Sequence, residues 1–130
     1  MSDKPVVVVA EDEPQIANLV RYKLEKSGYE VLWGKDGQRA WELIQESKPD
    51  LVILDVMMPI MDGFEVLRAM HDGPETREIP AIMVTARGME EDILKGFEEG
   101  AVDYMVKPFS VTELAARVKA TIGRREQDTE

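Results

Sequence analysis

Short apolar runs alternate five times with stretches of helical period, and that alternation leaves the chain very few folds. The runs are Val6 to Ala10, Tyr29 to Trp33, Leu51 to Leu54, Ala81 to Val84 and Val102 to Val106. Most are apolar without a polar alternation, the pattern of a strand buried on both faces. Between them, Ile16, Leu19, Val20 and Leu24 mark one helical face, and Ala40, Leu43 and Ile44 mark a second. Phe64, Leu67 and Met70 mark a third, Met89, Leu94 and Phe97 a fourth, and Leu114, Val118 and Ile122 a fifth. Pro14 suits the first turn of helix one, Gly28 stops it, and Ser110 with Glu113 forms a capping box for helix five. Strands separated by helices pair in parallel beneath two helical layers. Right-handed crossovers then reduce the topologies to a handful. One α/β domain over residues 4–122 is expected, with 123–130 as a charged tail or the start of a linker.

Open parallel sheets bind ligands at the carboxyl ends of their strands. The first run ends in Glu11-Asp12, the third in Asp55, the fourth in Thr85, and Lys107 follows the fifth. Pro59, shortly after Asp55, forbids continued sheet pairing. If the first and third strands are neighbours, Glu11, Asp12 and Asp55 converge. Three carboxylates do not stay ionised at close range without a cation. Oxygen donors with no His or Cys among them suit Mg²⁺ or Mn²⁺. A carboxylate is also a nucleophile that forms an aspartyl-phosphate. Such a step needs positive charge and hydrogen-bond donors around the transferring oxygens, and Lys107 and the Thr85 hydroxyl are of the right kind. Lys107 precedes Pro108, where a cis bond is available.

Composition removes other classes. A formal net charge of −10 argues against direct nucleic-acid binding, which needs clustered Lys and Arg. There is no cysteine, hence no disulfide or thiol chemistry. No apolar stretch approaches the roughly 18 residues of a membrane span, and the amino terminus does not read as a signal peptide, so a cytoplasmic location is expected. His71, the only histidine, falls late on the third helix and away from the rim, and reads as a solvated residue. Trp33 and Trp41 read as packing residues, as do Met57, Met58 and Met61 in the loop after strand three.

In order and spacing, these motifs resemble the receiver domain of two-component response regulators. They are Glu11-Asp12, then Asp55-Val56-Met57-Met58-Pro59 with Asp62-Gly63, then Thr85-Ala86, Gly100-Ala101-Val102-Asp103-Tyr104 and Lys107-Pro108-Phe109. The resemblance runs from about Lys4 to Ile122 and implies a (βα)5 flavodoxin-like, doubly wound sheet of strand order 2-1-3-4-5. It further implies that Asp55 accepts a phosphoryl group from a sensor histidine kinase or phosphotransfer protein. Glu11, Asp12, Asp55 and the backbone carbonyl of Met57 would hold Mg²⁺. Lys107 would contact the phosphoryl group, Thr85 would swing toward it, and Tyr104 would turn into the space vacated. The face of the fourth helix, fifth strand and fifth helix would change with them. Many members have Asp where this chain has Glu11. Met57 and Arg87 match two variable family positions that tune the lifetime of the phosphoryl group.

Segments 97–104 and 117–119 also resemble the dimer face of winged-helix transcription regulators. There, Asp103 would pair with Arg117 and Glu98 with Lys119 across a two-fold axis, each pair occurring twice. Ile93 and Val102 stand where that subfamily usually has charges. A phosphatase acting on small molecules through Asp55 is a competing reading, but such enzymes place a second acid two residues on, where this chain has Met57. A phosphate-independent adaptor is a third reading, set against the intact Asp55, Thr85 and Lys107. A flavin-binding protein is a fourth, set against the acidic rim.

Overall fold

The computed structural model describes residues 4–128, with side chains as far as residue 125. Five strands form one parallel sheet: β1 (Val6–Ala10), β2 (Glu30–Gly34), β3 (Leu51–Leu54), β4 (Ala81–Thr85) and β5 (Asp103–Val106), in the order β2-β1-β3-β4-β5. Helices α1 (Pro14–Lys26), α2 (Gly37–Ser47), α3 (Gly63–Asp72), α4 (Glu90–Glu98) and α5 (Val111–Asp128) follow the strands in turn. The flavodoxin-like order expected from sequence is the one observed. The chain winds outward from β1 in both directions, so the switch point lies between β1 and β3.

Side chains alternate across the sheet with period two. Val8, Ala10, Val52, Leu54 and Met83 face α2 and α3, meeting Ala40, Ile44, Phe64, Leu67 and Met70. Val7, Val9, Leu51, Ile53, Ile82 and Val84 face α1 and α5, meeting Val20, Leu24, Leu114, Val118 and Ile122. Both faces of the sheet are therefore buried, which explains the absence of polar alternation in the central strands.

The structure shifts several expected boundaries. β2 begins at Glu30 and ends at Gly34, one residue later than the apolar run, and β4 reaches Thr85. β5 begins at Asp103, one residue later than the apolar run; Val102 is exposed, and its N–H donates to the Ala81 carbonyl. Helix five does not stop at Ile122. It continues across Gly123 to Asp128, so much of the expected tail is helical, and residues 129–130 lie outside the described part. The Ser110 cap is half a box: Ser110 Oγ accepts from the Glu113 N–H at 3.2 Å, while the Glu113 carboxylate goes to Arg117. A complete reciprocal box stands instead at α3, between Asp62 and Glu65.

The helix-four face is the largest correction. Met89, Leu94 and Phe97 are exposed, and the buried residues of α4 are Asp92 and Gly96. Leu19 of α1 is exposed as well. In the loop after β3, Met58 is buried and Met61 packs on the core, but Met57 is 59% exposed. Among the described residues, no helix is long and apolar enough to cross a membrane.

Candidate functional site

β1 and β3 are neighbours in register, with Ala10 opposite Leu54. The Asp55 N–H donates to the Ala10 carbonyl at 3.0 Å, so Glu11 and Asp55 leave the sheet side by side. Both are buried, at 4% and 3% exposure. β4 and β5 end on the same rim, where the Lys107 N–H donates to the Thr85 carbonyl at 2.8 Å. The peptide bond from Lys107 to Pro108 is cis. Glu11, Asp55 and Lys107 therefore meet at this rim, and Thr85 ends the strand beside β3.

Lys107 is the hub of the charges. Its Nζ lies 2.8 Å from Asp55 Oδ2, 2.9 Å from Glu11 Oε1 and 3.4 Å from Glu13 Oε1. The other Asp55 oxygen, Oδ1, accepts from the Met57 N–H at 3.1 Å. Glu11 Oε2 accepts from the Glu13 N–H at 3.1 Å. Burial pushes the Glu11 carboxyl up from 4.5 to about 7, against the hydrogen bond from Lys107. Burial opposes the charge on Lys107 too. Its hydrogen bonds to Asp55 and then Glu11 outweigh that, and the ammonium is held above its ordinary value. An open cavity of about 350 Å³ lies over these groups, lined by Asp12, Glu13, Asp55, Met57, Ala86 and Lys107.

Carboxylate oxygens of Glu11, Asp12, Glu13 and Asp55 lie within 4.8 Å of one another. Hard oxygen donors at this spacing fit a divalent cation of the Mg²⁺ type. Asp12 and Glu13 are exposed, with Glu13 on Lys107, while Glu11 and Asp55 are fixed by burial. Glu13 was not singled out in the sequence, although it completes an acidic triplet there.

Two more groups support the site: Trp33, read from the sequence as a packing residue, and Gly63, read there only as part of a motif. Trp33 Nε1 donates to the Glu11 carbonyl at 2.7 Å, which fixes the turn bearing the acids. No sequence signal announces an indole used in this way. Gly63 N–H donates to the Val56 carbonyl at 2.9 Å, and a Cβ there would run into the Asp55 carbonyl. Only glycine lets α3 start this close to the acceptor strand.

Thr85 is fully buried, and its Oγ1 accepts from the Arg87 N–H at 3.3 Å. Tyr104 is already turned in, 9% exposed, with its hydroxyl donating to the Arg87 carbonyl at 2.6 Å. Burial, and after it the negative charge of Asp92, raise its phenol above the ordinary value. On the far side of α5, Asp103 and Arg117 bond within the chain at 2.7 Å, and Arg117 also holds Glu113 at 2.8 Å. Glu98 and Lys119 are exposed. His71 is exposed and distant from the rim, as expected. Beside Lys107, a groove of about 400 Å³ runs between α1 and the loop before α5, lined by Ile16, Leu19, Pro108, Phe109 and Val111.

Known proteins resemble this chain in sequence and in fold. The family profile described as the response regulator receiver domain matches residues 7–119. The chain is 48% identical over 120 residues to the phosphate regulon transcriptional regulatory protein PhoB of Rhizobium meliloti, covering 92% of this chain and 53% of that protein. It is 40% identical over 123 residues to the DNA-binding dual master transcriptional regulator RpaA of Synechocystis, covering 95% of this chain and 51% of that protein. The chain thus spans about half the length of these curated relatives. Among solved structures, the receiver domain of the Francisella response regulator 1452 superposes with a TM-score of 0.88 at 33% identity, covering 94% of this chain and 99% of that one. The Vibrio cholerae chemotaxis protein CheY4 superposes with a TM-score of 0.85 at 30% identity, covering 91% and 98%.

Proposed function

The chain belongs to the response regulator receiver domain family, and from that premise we propose that it is a phosphorelay switch with Asp55 as phosphoryl acceptor. One observation carries the reading. Asp55 is buried where strand ends meet, with one oxygen on Lys107 and the other on the Met57 N–H. The donor is a phosphohistidine of a sensor kinase or phosphotransfer protein. An Asp55 oxygen attacks phosphorus, and the phosphorus–nitrogen bond breaks. The imidazole leaves with that electron pair and takes up a proton. The Lys107 ammonium, 2.8 Å from Asp55 Oδ2, is near enough to meet the transferred oxygens, and the Thr85 hydroxyl would turn from the Arg87 N–H to reach them. Glu11, Asp12, Asp55 and the Met57 carbonyl are the groups to hold Mg²⁺ or Mn²⁺, which supplies charge neutralisation when bound. Hydrolysis by water at the same phosphorus returns Asp55 and inorganic phosphate, so the chain acts as a switch and turns over no separate substrate.

The groove beside Lys107 is a suitable seat for the donor, because the phosphohistidine must reach Asp55 through the neighbouring cavity. For output, the exposed side chains of Leu94, Phe97, Val102 and Val106 support a partner-binding or self-associating α4-β5-α5 face. In a two-fold dimer, the exposed Glu98 and Lys119 would pair across the axis. Asp103 and Arg117 would have to exchange their present bond within the chain for one to the partner.

The direct test is intact mass after incubation with acetyl phosphate, with Mg²⁺ or with EDTA, on wild type and Asp55→Asn. A single Mg²⁺-dependent phosphoryl adduct, absent from the variant, is expected. No adduct, together with no beryllofluoride binding, would leave the phosphate-independent adaptor as the better reading.

A further inference from the structure

We propose that Asp92 is a positioning residue: its ion pair with Arg87 ties the first turn of α4 to the segment after β4, and the response of α4 to Asp55 depends on that pair. The inference rests on the receiver reading of Asp55.

Residue 87 is held at three points. Its N–H donates to Thr85 Oγ1, its carbonyl accepts from the Tyr104 hydroxyl, and its guanidinium Nη2 lies 2.8 Å from Asp92 Oδ1. The Asp92 side chain is 10% exposed, while that of Arg87 is 47% exposed. The pair therefore reaches from the site surface into the seat of α4.

That seat is otherwise thin. Met89, at the N-cap of α4, makes no side-chain cap. The helix turns Met89, Leu94 and Phe97 to solvent and buries only Asp92 and Gly96. At Gly96 the Tyr104 ring lies so near that an added Cβ would stand 2.9 Å from Cδ2. Ile93 packs half-buried on the core beside them, and the two buried anchors of α4 both end on groups that touch residue 87. A helix held this sparsely belongs to the readily shifted part of a fold.

When the Thr85 hydroxyl turns to a phosphoryl group on Asp55, the Arg87 N–H loses its acceptor and the backbone of 85–87 readjusts. A largely buried carboxylate is costly to strip of its partner, so Asp92 follows Arg87 and the first turn of α4 follows Asp92. Glu90 and Glu91 share that turn but are exposed. They favour the helix dipole without linking the helix to the site.

The test uses the whole chain with Mg²⁺ and beryllofluoride, as wild type, Asp92→Asn, Arg87→Ala, the double variant, and Glu91→Gln as a charge-matched control. Fluorine NMR reports occupancy of Asp55, and amide hydrogen exchange over 89–98 reports α4. Wild type and Glu91→Gln are expected to change α4 exchange by about fivefold or more on beryllofluoride binding, the low end of ordinary coupling between sites. Asp92→Asn is expected to bind beryllofluoride and lose that response. The double variant should then respond no less than either single one. A full response in Asp92→Asn, or an equal loss in Glu91→Gln, overturns the proposal. Wild type that binds beryllofluoride without any response in α4 overturns it too, while leaving the receiver reading standing. Wild type that binds none overturns both.

Discussion

Glu11 is the residue where a proton and a cation compete. Its value in the fold, about 7, lies above the ordinary 4.5, so the folded protein takes up a proton as pH falls through about 7. That proton must leave before the oxygen can ligate a metal. Mg²⁺ affinity should be level above pH 7 and weaken about tenfold per unit below it. Fluorescence titrations at pH 6 and 8 measure this, using Trp33 in a Trp41→Phe background. Equal affinity at the two pH values would remove Glu11 from the ligand set. The same shift fixes the sign for folding without metal: this contribution is fully present below 4.5 and is lost as pH rises through about 7. Ile60 is a second residue with a cost of its own. Its φ is +74° and its side chain is 70% exposed, so a β-branched residue sits in left-handed backbone with little packing in return. Ile60→Gly is expected to stabilise the domain by about 1 kcal/mol in urea unfolding. A loss would show that the exposed side chain contributes more than its strain costs.

The elements differ in how they are anchored. α3 starts on a reciprocal box, with Asp62 Oδ1 accepting from the Glu65 N–H at 2.8 Å and Glu65 Oε1 accepting from the Asp62 N–H at 3.0 Å. Asp62→Ala should therefore destabilise by about 1 kcal/mol in urea unfolding. Because this box starts the helix beside the acceptor loop, the same variant should also slow labelling of Asp55 by acetyl phosphate. α5 is anchored along its length by Leu114, Val118 and Ile122, all buried against β1, β3 and β4. Val118→Ala should destabilise without altering Mg²⁺ affinity, since its cost is lost packing far from the rim. Helical period revealed both helices, but it misled at α4. Period locates an apolar stripe, and Met89, Leu94 and Phe97 form one that the domain itself does not cover.

For the whole molecule, the net charge of −10 means self-repulsion in the compact state. Raising NaCl from low to physiological strength should raise the melting temperature by screening it. Association is the other property at this scale. Beryllofluoride should convert monomer to dimer in sedimentation velocity if the α4-β5-α5 face pairs with a second copy, and Phe97→Ser should weaken that. A monomer in both forms would rule the dimer out and leave the exposed apolar residues for a different partner.

The parallel sheet, its flavodoxin-like order and the rim bearing Glu11, Asp12, Asp55, Thr85 and Lys107 were legible in the sequence. Strand burial and chain direction write themselves into composition and period, and a parallel sheet sends every strand's carboxyl end to one side. The tertiary structure alone decided how those groups are paired. Lys107 bridges Glu11 and Asp55, Trp33 holds the Glu11 carbonyl, and Arg87 joins Thr85, Tyr104 and Asp92. Each of these contacts links residues from different elements or spans a loop whose path only packing sets. Their distances, and the shift at Glu11 that follows from burial, have no counterpart in residue order.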